Sequence, residues 1–192
     1  VLDGADFSGA LLEDADFNFA SLRDARFDAA RMSNARLVAI KAPGASFKKA
    51  LLYGSYFSRA VLENADFTGA KAKRVNFYDA KLNSVDFSGA SLEKANFERA
   101  QLVQAVFKGS VLKNAVFLWA RLQRANFAQA EMREAQLDKS DCRGTDFTQA
   151  NLTQASFREA DIDESIFTGA ILKNTIWSDY RRCRAASVGA CE

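Results

Sequence analysis

The stretch VDFSG-ASLEK-ANFER, residues 85–99, shows the pattern that decides the fold. Phe87, Leu92 and Phe97 stand five residues apart, and elsewhere too the bulky residue mostly alternates between phenylalanine and leucine. The five-residue frame runs from Leu2 to Trp177 without one insertion or deletion. Self-similarity at a short fixed period predicts a repeat architecture, in which each unit stacks on its neighbours.

A period of five fits neither a helix nor a continuous strand. On an α-helix the apolar stripe would drift by roughly 140° per repeat, and in a strand an odd period alternates between the two faces. The chain must therefore bend once per repeat. Residues two apart in extended chain point the same way, so Ala95 and Phe97 face inward while Asn96 faces outward. Turn formers such as Ser88-Gly89 then make the corner.

The alternation of phenylalanine and leucine predicts the number of sides of the coil. Like side chains stack in columns only if that number is even, and four sides of about five residues is the smallest comfortable solution. We therefore expect an all-β, right-handed quadrilateral β-helix of about nine coils over residues 1–177, with residues 178–192 as a capping tail, since an open end exposes backbone edges. The predicted core ladder consists of Phe7, Phe27, Phe47, Phe57, Phe67, Phe77, Phe87, Phe97, Phe107, Phe117, Phe127, Phe147, Phe157 and Phe167.

The repeats resemble those of the pentapeptide-repeat proteins, whose motif reads A-(D/N)-L/F-x-x. Residues 5–9 (ADFSG), 65–69 (ADFTG) and 95–99 (ANFER) match this motif directly, and in-frame copies cover nearly the whole chain. The resemblance implies a right-handed quadrilateral β-helix, in agreement with the periodicity. It implies no single function, because a fold does not fix a function.

Composition and charge restrict the functional classes. The 192 residues include 26 Lys and Arg and 24 Asp and Glu, a net charge of +2 that argues against an electrostatic nucleic-acid binder. No apolar stretch approaches the roughly 20 residues that span a bilayer, so no transmembrane segment is expected. One domain fits a chain of this length.

The sequence predicts no enzyme and no metal or cofactor site. Histidine is absent, which removes the commonest general base, and there is no C-x-x-C pair and no phosphate-binding glycine loop. A filled axis predicts no cleft for a small-molecule substrate. Asp6, Asp66, Asp86 and Asp146 share one outward column, and we interpret them as ties to the local backbone rather than as a calcium site.

Outward apolar residues on one wall predict an interaction surface. At twenty residues per coil, Val116, Leu118 and Trp119 share a wall with Tyr78, two coils below Leu118, and with Tyr56, one coil further down. An outward Trp beside an outward Leu is typical of a surface that contacts a protein partner or another copy of the chain.

Two of the three cysteines lie in the tail. Cys183 and Cys191 are eight residues apart, and one disulfide between them would fix the cap and belong to an oxidising compartment. Two free thiols in a cytoplasmic protein are the alternative. The tail resembles that of exported bacterial pentapeptide-repeat proteins, which implies an exported, periplasmic protein. Cys142 stands in the inward leucine register and is interpreted as a core residue.

Three functions remain open at this point. The first is a non-catalytic scaffold, exported from the cytoplasm, that presents a rigid wall to a protein partner. The second follows from the resemblance, since some family members protect DNA gyrase by mimicking duplex DNA with strongly acidic surfaces, whereas this chain is nearly neutral. The third is a secreted effector-like or adhesin-like rod. A homodimer through an end or a wall is compatible with each of them.

Overall fold

The chain coils without forming any helix or any strand longer than a single bridged residue. A computed structural model describes all residues, 1–192. Parallel bridges join residues twenty apart, beginning with Asp6 to Arg26 and ending with Ser156 to Ile176. Twenty residues correspond to four pentapeptides per turn, so the coil has four walls. With no helix present, none is long and apolar enough to cross a bilayer.

The four walls are named here after their first complete pentapeptides. Wall A begins at residues 5–9, wall B at 10–14, wall C at 15–19 and wall D at 20–24, and each continues at twenty-residue intervals. Walls A and C carry the phenylalanine register, and walls B and D carry the leucine register.

Hydrogen bonds between coils and within corners fix each pentapeptide. The N–H of Phe87 donates to the carbonyl of Val106 at 2.7 Å, and the N–H of Gly89 donates to Lys108 at 3.0 Å. The N–H of Ala90 closes the corner by donating to Phe87 at 3.0 Å. The second corner residue takes a left-handed φ, here 63° at Gly89, and 27 non-glycine residues also adopt a positive φ. Every corner therefore points its second side chain outward at a fixed place.

Aromatic stacking fills the axis of the coil. Phe87 stacks on Phe107 at 5.0 Å, one coil away, and meets Phe97 from the opposite wall edge-on at 5.6 Å. Both arrangements are favourable for aromatic rings. The predicted stacked and buried phenylalanine ladder is thus confirmed. Phe7 and Phe167 are only partly buried, because they lie in the end coils, where no full coil covers one side.

The tail reverses direction after the last coil. Trp177 occupies the phenylalanine register and lies 4.9 Å from the ring of Phe167. Beyond it the backbone runs antiparallel, so that Ile176 is bridged to Arg182. The N–H of Gly189 then donates to the carbonyl of Ala170 at 2.9 Å. These bonds use groups that the final coil would otherwise leave unpaired, as a cap must.

Candidate interaction surface

The exposure of Trp119 on wall C is set by the geometry of its corner. Trp119 is the second corner residue of the pentapeptide 115–119, with φ of 60°, and its side chain is 53% exposed. Val116 and Leu118 of the same pentapeptide point outward and are half-buried. We call these three residues the Trp119 surface. The structure therefore brings together three of the five residues predicted for the patch.

The Trp119 surface is connected to the cap along one corner of the coil. The Nζ of Lys139 lies 4.6 Å from the centroid of the Trp119 ring, and the same nitrogen lies 3.7 Å from Oε2 of Glu159. The hydroxyl of Tyr180, in the tail, donates to Oε1 of Glu159. This hydrogen bond to a carboxylate raises the pKa of Tyr180. Sequence reasoning missed this chain, although Lys139 and Glu159 follow Trp119 at twenty-residue steps.

Tyr56 and Tyr78 lie on wall C as predicted by the column count, but they do not adjoin the Trp119 surface. The coil between Tyr78 and Leu118 presents Asn96 and Glu98 outward instead. The two tyrosines occupy neighbouring coils and make a second group. Wall C thus carries two separate apolar groups rather than one continuous patch.

A small groove adjoins the lower of these groups. Tyr56 is 47% exposed and borders a hollow of about 310 Å³ together with Arg36 and Val38. Further along the same wall, Phe19 occupies the same corner column as Trp119 and is 78% exposed. Wall C therefore exposes aromatic side chains in its first, third and sixth pentapeptides.

The column of aspartates on wall A has a local structural role. Asp6, Asp66, Asp86 and Asp146 each accept a hydrogen bond from the backbone N–H two residues further on, at 2.8 to 2.9 Å. The carboxylates thereby hold their own corners, as Asx turns do. No group of three or more acidic, histidine or cysteine side chains is arranged to hold a metal ion.

A shallow groove lies on the outer surface of wall D, while the axis of the coil is filled by side chains. The groove has a volume of about 510 Å³ and is lined mainly by polar side chains. It opens where Gly144 leaves a corner without a side chain, between Arg124 and Glu164. Arg143, one of the lining residues, donates to Asp141 outside the groove at 2.6 Å, and this hydrogen bond lowers the pKa of Asp141. The Arg143 guanidinium of the groove is therefore already paired with a carboxylate.

The cysteines occupy two different environments. Cys183 and Cys191 are joined in a disulfide, with their Cα atoms 4.8 Å apart. Cys142 is fully buried in the leucine register of wall D. Burial raises the pKa of the Cys142 thiol to about 12, so the reactive thiolate is scarce near neutral pH.

Comparison with known proteins gives family matches over most of the chain. A model described as pentapeptide repeats (8 copies) matches residues 1–38, 100–138 and 135–174, and one described as pentapeptide repeat region matches residues 40–117. A search of curated proteins gives no significant match.

Solved structures of similar shape include a trypsin-treated form of QnrB1, a plasmid-mediated fluoroquinolone resistance protein. It aligns with a TM-score of 0.67 at 19% identity over 85% of this chain and 88% of that one. A pentapeptide repeat protein from the thylakoid lumen of Arabidopsis thaliana aligns with a TM-score of 0.48 at 29% identity, over 55% of this chain and 79% of that one. HetL from Nostoc, involved in heterocyst differentiation regulation, aligns with a TM-score of 0.39 at 25% identity, over 95% and 93%. The first of these shows a shared fold.

Proposed function

The chain belongs to the pentapeptide repeat protein family, and we propose that it is a non-catalytic scaffold that presents a rigid wall to a protein partner. The scaffold is a right-handed rod of about nine four-sided coils, closed by its tail. The family is generally non-catalytic. The observation that carries the proposal is the Trp119 surface on wall C.

The composition and rigidity of wall C suit a protein interface. Tryptophan and tyrosine are enriched among the residues that dominate binding energy, and Trp119 and Tyr56 are exposed here. Each coil is bonded to the coil on either side, so the side chains project from fixed backbone positions. A binding surface that is already ordered loses less conformational entropy when a partner docks.

Affinity capture with matched variants tests the proposal. Wild-type protein, Trp119→Glu and Phe19→Glu are immobilised and exposed to extract from the source, and the retained proteins are quantified by mass spectrometry. Phe19→Glu makes the same chemical change in the same corner column, five coils away. We expect at least one protein to be retained by the wild type and by Phe19→Glu but lost with Trp119→Glu. Identical retention by all three proteins contradicts a role for the Trp119 surface.

We further propose that the protein is exported to an oxidising compartment. The disulfide between Cys183 and Cys191 supports this location, since such bonds persist outside the reducing cytoplasm. Protein isolated from its own source is alkylated without reduction, and the C-terminal peptide is weighed. A mass with the two cysteines joined is the expected result. Two alkylated cysteines would contradict export and indicate a cytoplasmic protein.

The gyrase alternative gains no support from the surface charge. DNA mimicry requires a dense negative surface, whereas no wall of this coil carries more than one carboxylate in excess of its Lys and Arg side chains. The similarity to QnrB1, at 19% identity, concerns the fold. Purified protein is therefore expected to give gyrase no protection against a fluoroquinolone in a supercoiling assay at micromolar concentration. Protection of gyrase would support the gyrase alternative and contradict the scaffold proposal.

A further inference from the structure

The near-neutral net charge of the chain conceals a basic wall. Assigned by their position in the coil, eight Lys and Arg side chains lie on wall B against five Asp and Glu. Walls A and C each carry one more acidic than basic residue, and so does wall D when Asp3 of the incomplete pentapeptide 1–4 is counted. The net charge of the whole chain does not reveal this segregation. The basic residues of wall B are Arg31, Lys71, Lys73, Arg74, Lys94, Lys113, Arg133 and Lys173.

Two cations in the upper part of wall B are paired with carboxylates of the same wall. The Nζ of Lys113 lies 3.7 Å from Glu134, and the Nε of Arg133 lies 2.9 Å from Glu131. Both carboxylates stand at corner or bridge positions of the same wall. The two pairs show that a carboxylate at the surface of wall B can come within ion-pair distance of a Lys or Arg side chain of that wall.

Four basic residues in the middle of the wall have no such partner. Lys71, Lys73, Arg74 and Lys94 are exposed, lie in two adjacent coils, and form no salt bridge within the chain. The carboxylate nearest along the columns, Glu93, accepts a hydrogen bond from Ser91 at 2.6 Å and pairs with none of the four. Coils are spaced by roughly 4.8 Å, so four like charges are held in a small area by a rigid backbone. We call these four residues the basic cluster.

An aromatic residue borders the basic cluster. Tyr53 is 44% exposed, and Nη1 of Arg74 donates to its hydroxyl at 3.1 Å. The guanidinium carbon of Arg74 lies 6.0 Å from the centre of the Tyr53 ring. The contact holds the Arg74 side chain along the wall rather than free in solvent. Exposed Tyr and Arg side chains in contact are typical of protein interfaces.

We propose that the basic cluster binds an acidic segment of a partner protein. The pairs formed by Lys113 and Arg133 show that carboxylates suit the cations of this wall. A nucleic acid fits less well, because the cluster covers only two coils and the other three walls offer no net positive charge to a longer polyanion. Arg74 also lies beside the Tyr53 ring, which leaves less of that ring for stacking on a base. This site lies on a different wall from the Trp119 surface and stands independently of it.

The test measures binding of a labelled acidic peptide by fluorescence anisotropy. The peptide alternates glutamate and serine over about eight residues, enough at roughly 3.3 Å per residue to cross the cluster. The test variant is Lys73→Glu with Lys94→Glu. The matched control is Lys108→Glu with Lys49→Glu, which makes the same charge change at the same two pentapeptide positions on wall A, where neither lysine has a salt-bridge partner. Unchanged thermal unfolding verifies that both variants fold.

We expect saturable binding that the test variant weakens at least about tenfold and the control by less than about twofold, because only the wall B cations face the peptide. The neutral variant Lys73→Gln with Lys94→Gln should lie between wild type and the reversed variant, and Trp119→Glu should bind normally. Absence of saturable binding, or equal weakening by the wall A control, overturns the proposal. So does tighter binding of a DNA duplex that the same variant abolishes, because the site would then be a nucleic-acid site.

Discussion

The ammonium nitrogen of Lys139 lies 4.6 Å from the centre of the Trp119 ring, one coil away on the same corner of the structure. A cation in this position is attracted by the electrons of the ring face. Lys139 also pairs with Glu159, which accepts a hydrogen bond from Tyr180 in the tail. The Trp119 ring is thus partly covered by Lys139, and Lys139 is connected through Glu159 to the capped end.

Replacing Lys139 is expected to expose Trp119. In a Trp177→Phe background, which restores phenylalanine to the phenylalanine register and leaves Trp119 as the only tryptophan, Lys139→Ala should increase quenching of the fluorescence by acrylamide. The increase follows because the lysine side chain lies over one face of the indole. Arg99→Ala, on the same corner column one coil below, provides a control. Unchanged quenching in Lys139→Ala would show that the cation does not shield the ring.

Core and corner phenylalanines are expected to differ sharply in their contribution to stability. Phe87 is fully buried between the rings of Phe67 and Phe107, so Phe87→Ala should lower the free energy of unfolding by about 3–5 kcal/mol. Phe19 is exposed, and Phe19→Ala should change it by less than about 0.5 kcal/mol. Urea unfolding followed by circular dichroism measures both. A large loss with Phe19→Ala would indicate that this side chain packs against something in solution.

The left-handed corners allow the effect of backbone conformation to be measured alone. A Cβ at Gly109, with φ of 64°, would meet no atom within 4 Å, so Gly109→Ala adds no clash. Alanine lowers the entropy of the unfolded chain, which favours folding, but its Cβ is strained at a left-handed φ, which disfavours folding by more. We therefore expect Gly109→Ala to lower the free energy of unfolding by about 0.5–1 kcal/mol. The reverse change, Ala29→Gly at φ 55°, should stabilise by a similar amount. A stabilising Gly109→Ala in thermal unfolding would contradict this account.

Removal of the disulfide should loosen the cap and leave the middle of the coil unchanged. A loop of this length stabilises by about 2.5 kcal/mol, and coils of a solenoid contact only their neighbours. In Cys191→Ser, hydrogen exchange should therefore accelerate at the amide of Gly189, bonded to Ala170, and stay constant at Phe87. Reductant should produce the same change in wild-type protein and none in the variant. Acceleration throughout the coil would mean that the cap controls global unfolding.

Stability is expected to fall in acid. Arg143 lowers the pKa of Asp141, so ionised Asp141 stabilises the folded state above its unfolded pKa of about 3.9, and the contribution is lost as the pH falls through the lower folded value. The melting temperature should therefore be nearly constant above about pH 5 and drop below pH 4. Asp141→Asn should lower it at neutral pH and reduce the drop. Asp79→Asn, which removes a carboxylate that has no side-chain partner, should leave the acid transition unchanged.

The coil and its core were predictable because the sequence period is also the spatial period. Counting twenty residues from Phe87 gives Phe107, its stacked neighbour, and counting ten gives Phe97 on the opposite wall. The same count places Tyr56 and Trp119 on one wall. Sharing a wall does not make two residues neighbours, because the coil between Tyr78 and Trp119 presents the polar side chains of Asn96 and Glu98 and so interrupts the apolar surface.

Interactions that depend on side-chain conformation or leave the repeat were not predictable. Arg143 has carboxylates on its own coil and on the next, and it pairs with both Asp141 and Asp161. Tyr180 lies beyond the last pentapeptide, so no column count places its hydroxyl beside Glu159. The antiparallel path of the tail depends on its own hydrogen bonds, and these lie outside the five-residue repeat and could not be predicted from it.

The twenty-residue turn also determines what an insertion or deletion does to such a rod. Loss or gain of one pentapeptide would rotate everything beyond it by a quarter turn and set phenylalanine over leucine in the axis. Loss of ten residues between Tyr78 and Trp119 would keep phenylalanine over phenylalanine, yet move Trp119 from wall C to the opposite wall A. The direction in which one binding face points relative to another is thus encoded by the length of chain between them. A ten-residue deletion could re-aim a surface without altering a single residue within it.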